Sequence, residues 1–336
     1  MTLTMQVLQR LAANRSEPGR FISGADLASQ FGVTRSAVWK AIGRLRAMGT
    51  PVEAHTNRGY RLALPATALD AQAVRALLGD ELRAMLRDGD CAGELDSTNA
   101  QLLARPAPPA GRFDFLTAEF QTAGRGRRGR SWLAPPGGAV CLSWSWSFEG
   151  LSAAMGALSL AIGVSALRAL RALGIEGVEL KWPNDLVAPQ GKLGGILIEM
   201  RTESGGPVHV VIGIGLNVAL PADLRATLAQ MGTDAADLSL LAPGSAPPAR
   251  AELTAALLRE GICAVREFAS RGFAPFLDEY QAADVLRDRP VKLQGSGPVE
   301  SGLARGVDVD GALRVEHNGQ VHRIIAGEVS VRTAST

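Results

Sequence analysis

The sequence predicts an α+β protein in three parts: a winged helix-turn-helix over residues 1–64, a mixed-sheet body over 76–286 reached through a linker at 65–75, and a small β-barrel over 287–336. Three observations predict it. The N-terminal residues carry apolar side chains at helical spacing and then a hairpin with strong turn chemistry. From Phe113 onward, short strands and helices mix without strict alternation, which favours an α+β sheet over a doubly wound one. From Arg289 the pattern changes to period-2 segments separated by glycines.

In the first part, Met5, Leu8 and Leu11, with Val7 beside them, give Leu3 to Ala13 a helical spacing. Ser23 followed by Asp26 resembles a capping box that opens a short helix through Phe31. Gly32-Val33 makes a turn, Thr34 caps a second helix reaching Met48, and Gly49 stops it. On that helix Val38, Ile42 and Leu45 face inward, leaving Arg35, Ser36, Trp39, Lys40, Gly43 and Arg46 on the other side. Val52 to Leu62 reads as a hairpin with Thr56-Asn57-Arg58-Gly59 at its tip. Helix–turn–helix plus basic hairpin is the winged form of a DNA-reading module, its second helix entering the major groove. Such a domain can instead serve only protein contacts, and the exposed basic face favours DNA. The charge agrees: residues 1–64 carry nine Lys/Arg and three Asp/Glu, a net +6, leaving −4 for the remainder. The expected DNA contacts are Arg35, Ser36, Trp39, Lys40 and Arg46 on the helix and Arg58 on the wing.

Ala63 to Asp70, with Pro65, reads as a linker, and 71–88 as helical. Pro106, Pro108 and Pro109 mark a surface loop. Strands are expected at 115–121, 140–148, 178–181, 193–201 and 209–217, and helices at about 152–173 and 250–270. The barrel is expected from segments 291–293, 303–309, 313–316, 321–325 and 328–332.

With 46% hydrophobic and 20% charged residues, the chain has the composition of a soluble globular protein, not a disordered one. Its three cysteines include no C-x-x-C pair, so neither a disulfide framework nor a zinc site is expected, and a reducing cytosol fits. No basic start precedes an apolar core at the N-terminus, so no secretory signal is expected. Gly150 to Leu167 is 18 residues without a charge, the lower limit for a spanning helix. Its three glycines and three serines, with Arg168 and Arg171 following at once, favour a buried helix.

Arginine supplies nearly all the positive charge; the four lysines are Lys40, Lys181, Lys192 and Lys292. Residues 124–130 read Gly-Arg-Gly-Arg-Arg-Gly-Arg. Gly124, Gly126 and Gly129 satisfy a dinucleotide fingerprint literally, but the proline-rich segment that follows cannot be the helix this fingerprint opens. Such a loop can instead fold over a small anion, glycine allowing close backbone approach and guanidinium groups pairing with carboxylate or phosphate. A second cluster is Lys181-Trp182-Pro183-Asn184-Asp185, and a third runs from Lys192 through Gly194 and Gly195 to Glu199. Gly213-Ile214-Gly215-Leu216-Asn217 closes a strand. No G-x-x-x-x-G-K-[ST] occurs, so a nucleotide is not held by a P-loop. The four histidines are scattered, against a histidine metal site or a Ser/His/Asp triad. Together the clusters put lysines, arginines, an amide and a carboxylate at the ends of apolar strands, where ligand sites form.

With Asp96-Ser97-Thr98-Asn99, Gln121 before the arginine loop, and Trp132 after it, these motifs make the chain resemble bifunctional bacterial biotin–protein ligases, which also repress biotin synthesis genes. The resemblance covers almost the whole length. It implies a class II synthetase-like catalytic domain of the biotin/lipoate ligase kind at 76–286 and an SH3-like barrel at 287–336. It implies that biotin and ATP form biotinyl-5′-adenylate with Mg2+, and that a lysine of the biotin carboxyl carrier protein of acetyl-CoA carboxylase then takes the biotinyl group. Lys192 matches the lysine that contacts the biotin carboxyl, and Arg125, Gly126 and Arg127 the loop that shields the adenylate. Ser97, Thr98, Asn99 and Gln121 match polar groups around the ureido ring, Trp132 an aromatic wall, and Gly213 and Gly215 further biotin-binding positions. Arg127, Arg128, Lys181 and Asn184 match positions near the phosphates, Asn217 one near adenine. Asp185 matches a carboxylate that either holds magnesium or orients the amine. Arg305 and Arg332 match barrel positions approaching the nucleotide. Operator DNA, a cytoplasmic setting and a homodimer in the adenylate-bound state are implied too. Where repressor-type relatives carry a tryptophan over adenine, this chain has Met231 as its large apolar residue. Two other readings are a lipoate–protein ligase or octanoyltransferase of the same superfamily and a non-catalytic ligand-sensing repressor. The arginine–glycine loop followed by Trp132 argues against the first, intact Lys181 and Lys192 against the second.

Overall fold

The computed structural model describes all residues except 14–19, 151–152, 203–206, 243, 295–298, 326–329 and 334–336; the side chains of 153–154, 294 and 330–333 are also outside the description. The N-terminal unit forms as its caps dictate. Helices α1 (Leu3–Ala12), α2 (Gly24–Phe31) and α3 (Arg35–Ala47) open on Thr2, Ser23 and Thr34, whose hydroxyls accept from the amides of Met5, Asp26 and Ala37. Gly32 ends α2 in the left-handed region. Met5, Leu8 and Leu11 of α1 meet Leu27 of α2 and Val38, Ile42 and Leu45 of α3 in one core. Each such side chain contributes roughly 1.5–3 kcal/mol by leaving water.

Strands β1 (Val52–His55) and β2 (Gly59–Leu62) form the wing, and Ile22 adds a third rung through paired amide–carbonyl bonds with Tyr60. Gly59 is required there: its φ is +106°, and a Cβ would fall 2.0 Å from the Ile22 carbonyl oxygen.

The segment expected as a linker packs against the body. Thr67 accepts from the backbone amide of Arg250 at 2.8 Å and, through its carbonyl, from the guanidinium. That guanidinium also pairs with Glu119 at 2.6 Å, both residues being buried. The expected helix over 71–88 does not continue that far. It breaks at Gly79 into α4 (Ala71–Leu77) and α5 (Gly79–Met85), and the chain then runs as an unexpected strand, β3 (Leu86–Leu95). Four charged residues and two glycines mask that strand in the sequence. It can be so polar because it is a sheet edge, paired on one side only.

After α6 (Thr98–Ala104) come β4 (Phe113–Gln121), β5 (Ala139–Phe148), α7 (Leu158–Ala172), β6 (Glu179–Lys181), β7 (Asp185–Ala188), β8 (Gly191–Thr202) and β9 (Val208–Asn217). The seven strands order as β3-β4-β5-β9-β8-β7-β6, with β3–β4 parallel and every other pair antiparallel. This is the mixed sheet expected from the irregular alternation. Residues 158–167 of the uncharged segment form most of the helix α7, which is packed in the core and ends past Arg168 and Arg171. Then follow α8 (Ala222–Gln230), α9 (Leu238–Leu241), α10 (Arg250–Arg271) and α11 (Leu277–Ala283). Helices α7 and α10 cover one sheet face, burying Val140, Leu142 and Trp144 of β5 with Ile212, Ile214 and Leu216 of β9.

The C-terminal unit is an antiparallel sheet of β10 (Pro290–Gln294), β11 (Ser301–Val307), β12 (Leu313–His317), β13 (Gln320–Ile324) and β14 (Ser330–Thr333), ordered β13-β12-β11-β10-β14. Residues 328–329 of the last expected strand lie outside the described residues. Trp182 of the body is buried and its indole N–H donates to the Gly311 carbonyl at 3.0 Å, tying the two units together. On the other side, Thr50 Oγ1 donates to the Pro136 carbonyl at 2.8 Å and Arg44 pairs with Glu94 at 2.8 Å, joining the winged unit to the body.

Candidate active site

The site occupies the sheet face opposite α7 and α10, and strand alternation creates it. In β5 the large residues Val140, Leu142, Trp144 and Trp146 point one way, and Cys141, Ser143 and Ser145 the other. Register brings Cys141 opposite Gly215, Ser143 opposite Gly213, and Gly195 opposite Gly215. One face therefore carries small groups at Cys141, Ser143, Gly195, Gly213 and Gly215 where three strands meet, with Leu197 beside Gly213. A Cβ at Gly213 would fall 2.2 Å from Asn99 Oδ1, and one at Gly215 2.4 Å from the Trp132 ring. The glycines remove side chains so that Asn99 and Trp132 can lie against the sheet.

Asp96-Ser97-Thr98-Asn99 is the N-terminus of α6. Ser97 Oγ caps it by accepting from the Ala100 amide, and Asp96 Oδ1 accepts from the Ser97 amide and from Gln101. Those two bonds hold the Asp96 carboxyl below the usual carboxylate range, the Gln101 bond most. Gln121 Oε1 accepts from the Thr98 amide at 2.8 Å and from its hydroxyl at 3.2 Å. Ser143 Oγ donates to Asn99 Oδ1 at 2.6 Å and stands 2.7 Å from Thr98 Oγ1. Asn99 Nδ2 donates to the Leu197 carbonyl at 3.2 Å and to Glu199 Oε2 at 3.0 Å. The result is a neutral, buried lining of donors and acceptors. Cys141 beneath it is inert: burial pushes its thiol up to about 11.

Beside this pocket stands a cationic group. The segment from Gly124 to Trp132 folds as a tight hairpin, with Trp132 N–H donating to Gly124 O at 2.9 Å, Gly126 N–H to Arg130 O at 2.7 Å, and Arg125 bridging Ser131. Arg128, at its turn, has a φ of +57° and is exposed. Arg125 pairs with Glu199 at 3.2 Å. Arg127 reaches Asn184 Oδ1 at 3.5 Å; burial first, then neighbouring Arg128, lowers its affinity for its proton, while Asp185 opposes them. Asn184 is fixed by a 2.8 Å bond from Nδ2 to the Ile196 carbonyl. Lys192 Nζ lies 2.7 Å from Asp185 Oδ1, a contact by distance without hydrogen-bond alignment, and 5.9 Å from the centre of a Trp132 ring. Lys181 sits opposite Asp185 in the β6–β7 pair. A charged end of lysines and arginines thus adjoins a neutral hydrogen-bonding end, an arrangement for a ligand with a polar uncharged head and a carboxylate or phosphate tail.

The structure brings together Ser97, Thr98, Asn99, Gln121, Arg125, Gly126, Arg127, Trp132, Lys181, Asn184, Asp185, Lys192, Gly213 and Gly215. Asn217 lies deeper: it is buried, and its amide donates to the carbonyls of Ala236 at 3.0 Å and Lys192 at 3.4 Å. Arg305 is engaged by Glu316 and Asp288 in the barrel. Arg332 pairs in register with Lys292, and its side chain lies outside the described residues. In the winged unit Arg35, Ser36, Trp39, Lys40 and Arg46 are all exposed on α3, and Arg46 also donates twice to the Val52 carbonyl. Sequence reasoning missed Ser143; the alternation of small and large residues along 140–148 marks its face of the strand but not its neighbours.

Residues 97–217 match the biotin/lipoate A/B protein ligase family, residues 5–61 an HTH domain, and residues 288–332 the biotin protein ligase C terminal domain. The bifunctional ligase/repressor BirA of Escherichia coli is 37% identical over 94% of this chain and 94% of its own length. The protein of that name from Salmonella typhimurium is 36% identical over 94% and 95%. Among solved structures, the biotin protein ligase from Aquifex aeolicus in complex with biotin and ATP has a TM-score of 0.62 at 26% identity, covering 74% of this chain and all of that one.

Proposed function

The chain belongs to the family of bifunctional biotin–protein ligases and biotin-operon repressors, and from that premise we propose how its own residues carry out biotin activation and transfer. The enzyme joins biotin to ATP, the carboxylate attacking the α-phosphorus and pyrophosphate leaving. A lysine amine of the biotin carboxyl carrier protein then attacks the acyl carbon, and AMP departs. One observation carries the assignment of roles: a neutral lining of Thr98, Asn99, Gln121 and Ser143 adjoins the cations Lys192 and Arg127 on one sheet face.

In this reading the lining receives the ureido ring, whose carbonyl and N–H groups need neutral partners, and Ser97 shapes its wall. Gly213 and Gly215 let Asn99 and Trp132 lie flat against the sheet, so that the bicycle sits over them with Trp132 as its side. Lys192 leaves Asp185 for the biotin carboxylate and later the acyl-phosphate oxygens. Arg127, Arg128, Lys181 and Asn184 offset phosphate charge, which is where two anionic reactants most need help. The arginine hairpin, with Arg125 and Gly126, excludes water from the mixed anhydride. Asn217 supports the adenine side by fixing the backbone at Ala236. Among the described residues no cluster of three or more His, Cys, Asp or Glu could hold a metal ion. Asp185 offers a carboxylate beside the phosphate-side cations, where Glu199 is already engaged by Asn99 and Arg125, so Mg2+ would be held mainly by ATP phosphates. Asp185 acts here as the resting partner of Lys192.

The winged unit binds operator DNA through Arg35, Ser36, Trp39, Lys40 and Arg58, and the adenylate-loaded protein does so as a homodimer. The loop and Trp132 favour biotin over a lipoyl chain. The deciding assay incubates the protein with the carrier domain, ATP, Mg2+ and either biotin or lipoate. Biotinyl-carrier is the expected product; lipoyl-carrier alone, or no product, overturns the reading.

A further inference from the structure

Glu199 ends the lysine–glycine strand motif and has no part in the chemistry above. We propose that it is a positioning residue that makes the ureido pocket and the arginine hairpin one hydrogen-bonded unit; the proposal rests on the ligase reading. Its two carboxylate oxygens face different parts of the site. Oε2 accepts from Asn99 Nδ2 at 3.0 Å, and Oε1 meets Arg125 Nη1 at 3.2 Å.

The first contact sets which way the Asn99 amide points. Its Oδ1 receives Ser143 at 2.6 Å in the space left by the missing Gly213 side chain, and its Nδ2 faces the Leu197 carbonyl and Glu199. A flipped amide would turn its oxygen toward two acceptors. Glu199 therefore helps keep the order of donors and acceptors in the pocket. A charge-assisted bond of this kind is stronger than a neutral one.

The second contact is geometric. The side chain of Arg125 is 51% exposed and that of Glu199 24%, so the ion pair adds little stability in itself. It fixes where the hairpin rests. Gln121, at the root of the hairpin, is bonded to Thr98, so the hairpin is held at its root by Gln121 and within it by Glu199. The contacts run without a gap from Arg125 through Glu199, Asn99 and Ser143 to Thr98 and Gln121.

The test is E199Q, which keeps the size and can still accept from Asn99 but offers Arg125 no charge. Losing the charged partner should raise the biotin KM and the escape rate of biotinyl-adenylate about three- to tenfold. The single-turnover rate of adenylate formation at saturating biotin and ATP should stay near wild type, since Lys192 and Lys181 are untouched, and so should the melting temperature. A loosened fold would instead lower both rate and melting temperature. R125Q should leak to a similar degree, and the R125Q/E199Q double variant little more than either. Wild-type KM and retention in E199Q overturn the proposal. So does tighter biotin binding, because Glu199 would then be competing with the ligand for Arg125. Multiplied effects in the double variant overturn it too, by making the residues independent. A wild-type protein that forms no biotinyl-adenylate overturns the ligase reading itself.

Discussion

Lys192 is confined on three sides: by Asp185 at 2.7 Å, by the Trp132 ring at 5.9 Å, and by Gly195, where a Cβ would stand 3.2 Å from Nζ. The ammonium fits this slot because it is compact, and a guanidinium needs a plane of space the slot lacks. K192R should therefore reduce adenylate formation roughly a hundredfold although charge is conserved. G195A should raise the biotin KM more modestly, by pushing the lysine without removing it. Steady-state pyrophosphate release measures both, and a K192R variant at wild-type rate would show the slot to be permissive. At this scale the sequence revealed residues of unusual type: a rare lysine entering an apolar strand, four arginines among glycines, an Asp-Ser-Thr-Asn helix start. It did not reveal Ser143, because a serine among alternating residues looks like an ordinary strand position until register sets it beside Asn99. Nor did it reveal how Asn217 is used, since only folding brings the Ala236 carbonyl to its amide.

Elements with a strong period were legible, and those with short or polar sequences were not. The caps at Ser23 and Thr34 and the turn at Gly59 specify the winged unit locally. By contrast β3 is an edge strand whose pairing with β4 is set from a distance, and β7 is four residues long. The junction between α11 and β6 is another tertiary product. There Asp284 lies against Leu180, its Oδ1 accepting from the Leu286 amide. Burial pushes its carboxyl up to about 6 from an ordinary 3.8; Glu179 adds to the rise, while the Leu286 amide and Arg287 oppose it. The folded pKa exceeds the unfolded one, so the native state holds the extra proton between about pH 4 and 6. The stabilisation this gives is complete below the unfolded value and is lost as pH rises through 6. D284N keeps the acceptor for Leu286 without the charge. It should be more stable than wild type at pH 7.5 by up to about 3 kcal/mol, an advantage that shrinks below pH 6 and is gone near pH 4. Urea midpoints of both proteins across this range check it, and parallel curves would mean that Asp284 does not titrate there.

For the whole molecule, charge separates what the contacts join. The first 64 residues carry a net +6 and the remainder −4, yet Arg44–Glu94 and Thr50–Pro136 hold the winged unit against the body. Its outer surface presents Arg35, Trp39 and Lys40 on α3 and Arg58 on the wing, the last stacked 4.5 Å from the centre of the Phe21 ring. Phe21 also lies against Arg61, which Glu53 neutralises at 2.7 Å, so Arg58 is the wing cation we propose to meet DNA. If the adenylate-loaded protein binds as a dimer, each of these cations meets DNA twice, and its half-sites lie about one helical turn apart. Salt dependence then counts protomers. Each phosphate neutralised contributes about 0.9 to the slope of log Kobs against log salt, so K40A should lower the magnitude of that slope by nearly 2 for a dimer and by nearly 1 for a monomer. The probe is a duplex selected from a random pool by the wild-type protein with biotin and ATP present, and binding is read by fluorescence anisotropy at several salt concentrations. R46A is the contrasting variant. Its guanidinium keeps its charge but is held on the Val52 carbonyl, so the variant should weaken binding by loosening the wing and change the slope less than K40A does. A slope change near 1 for K40A, with a single unrepeated half-site in the selected duplexes, would sink the dimer and leave a monomeric DNA-binding ligase.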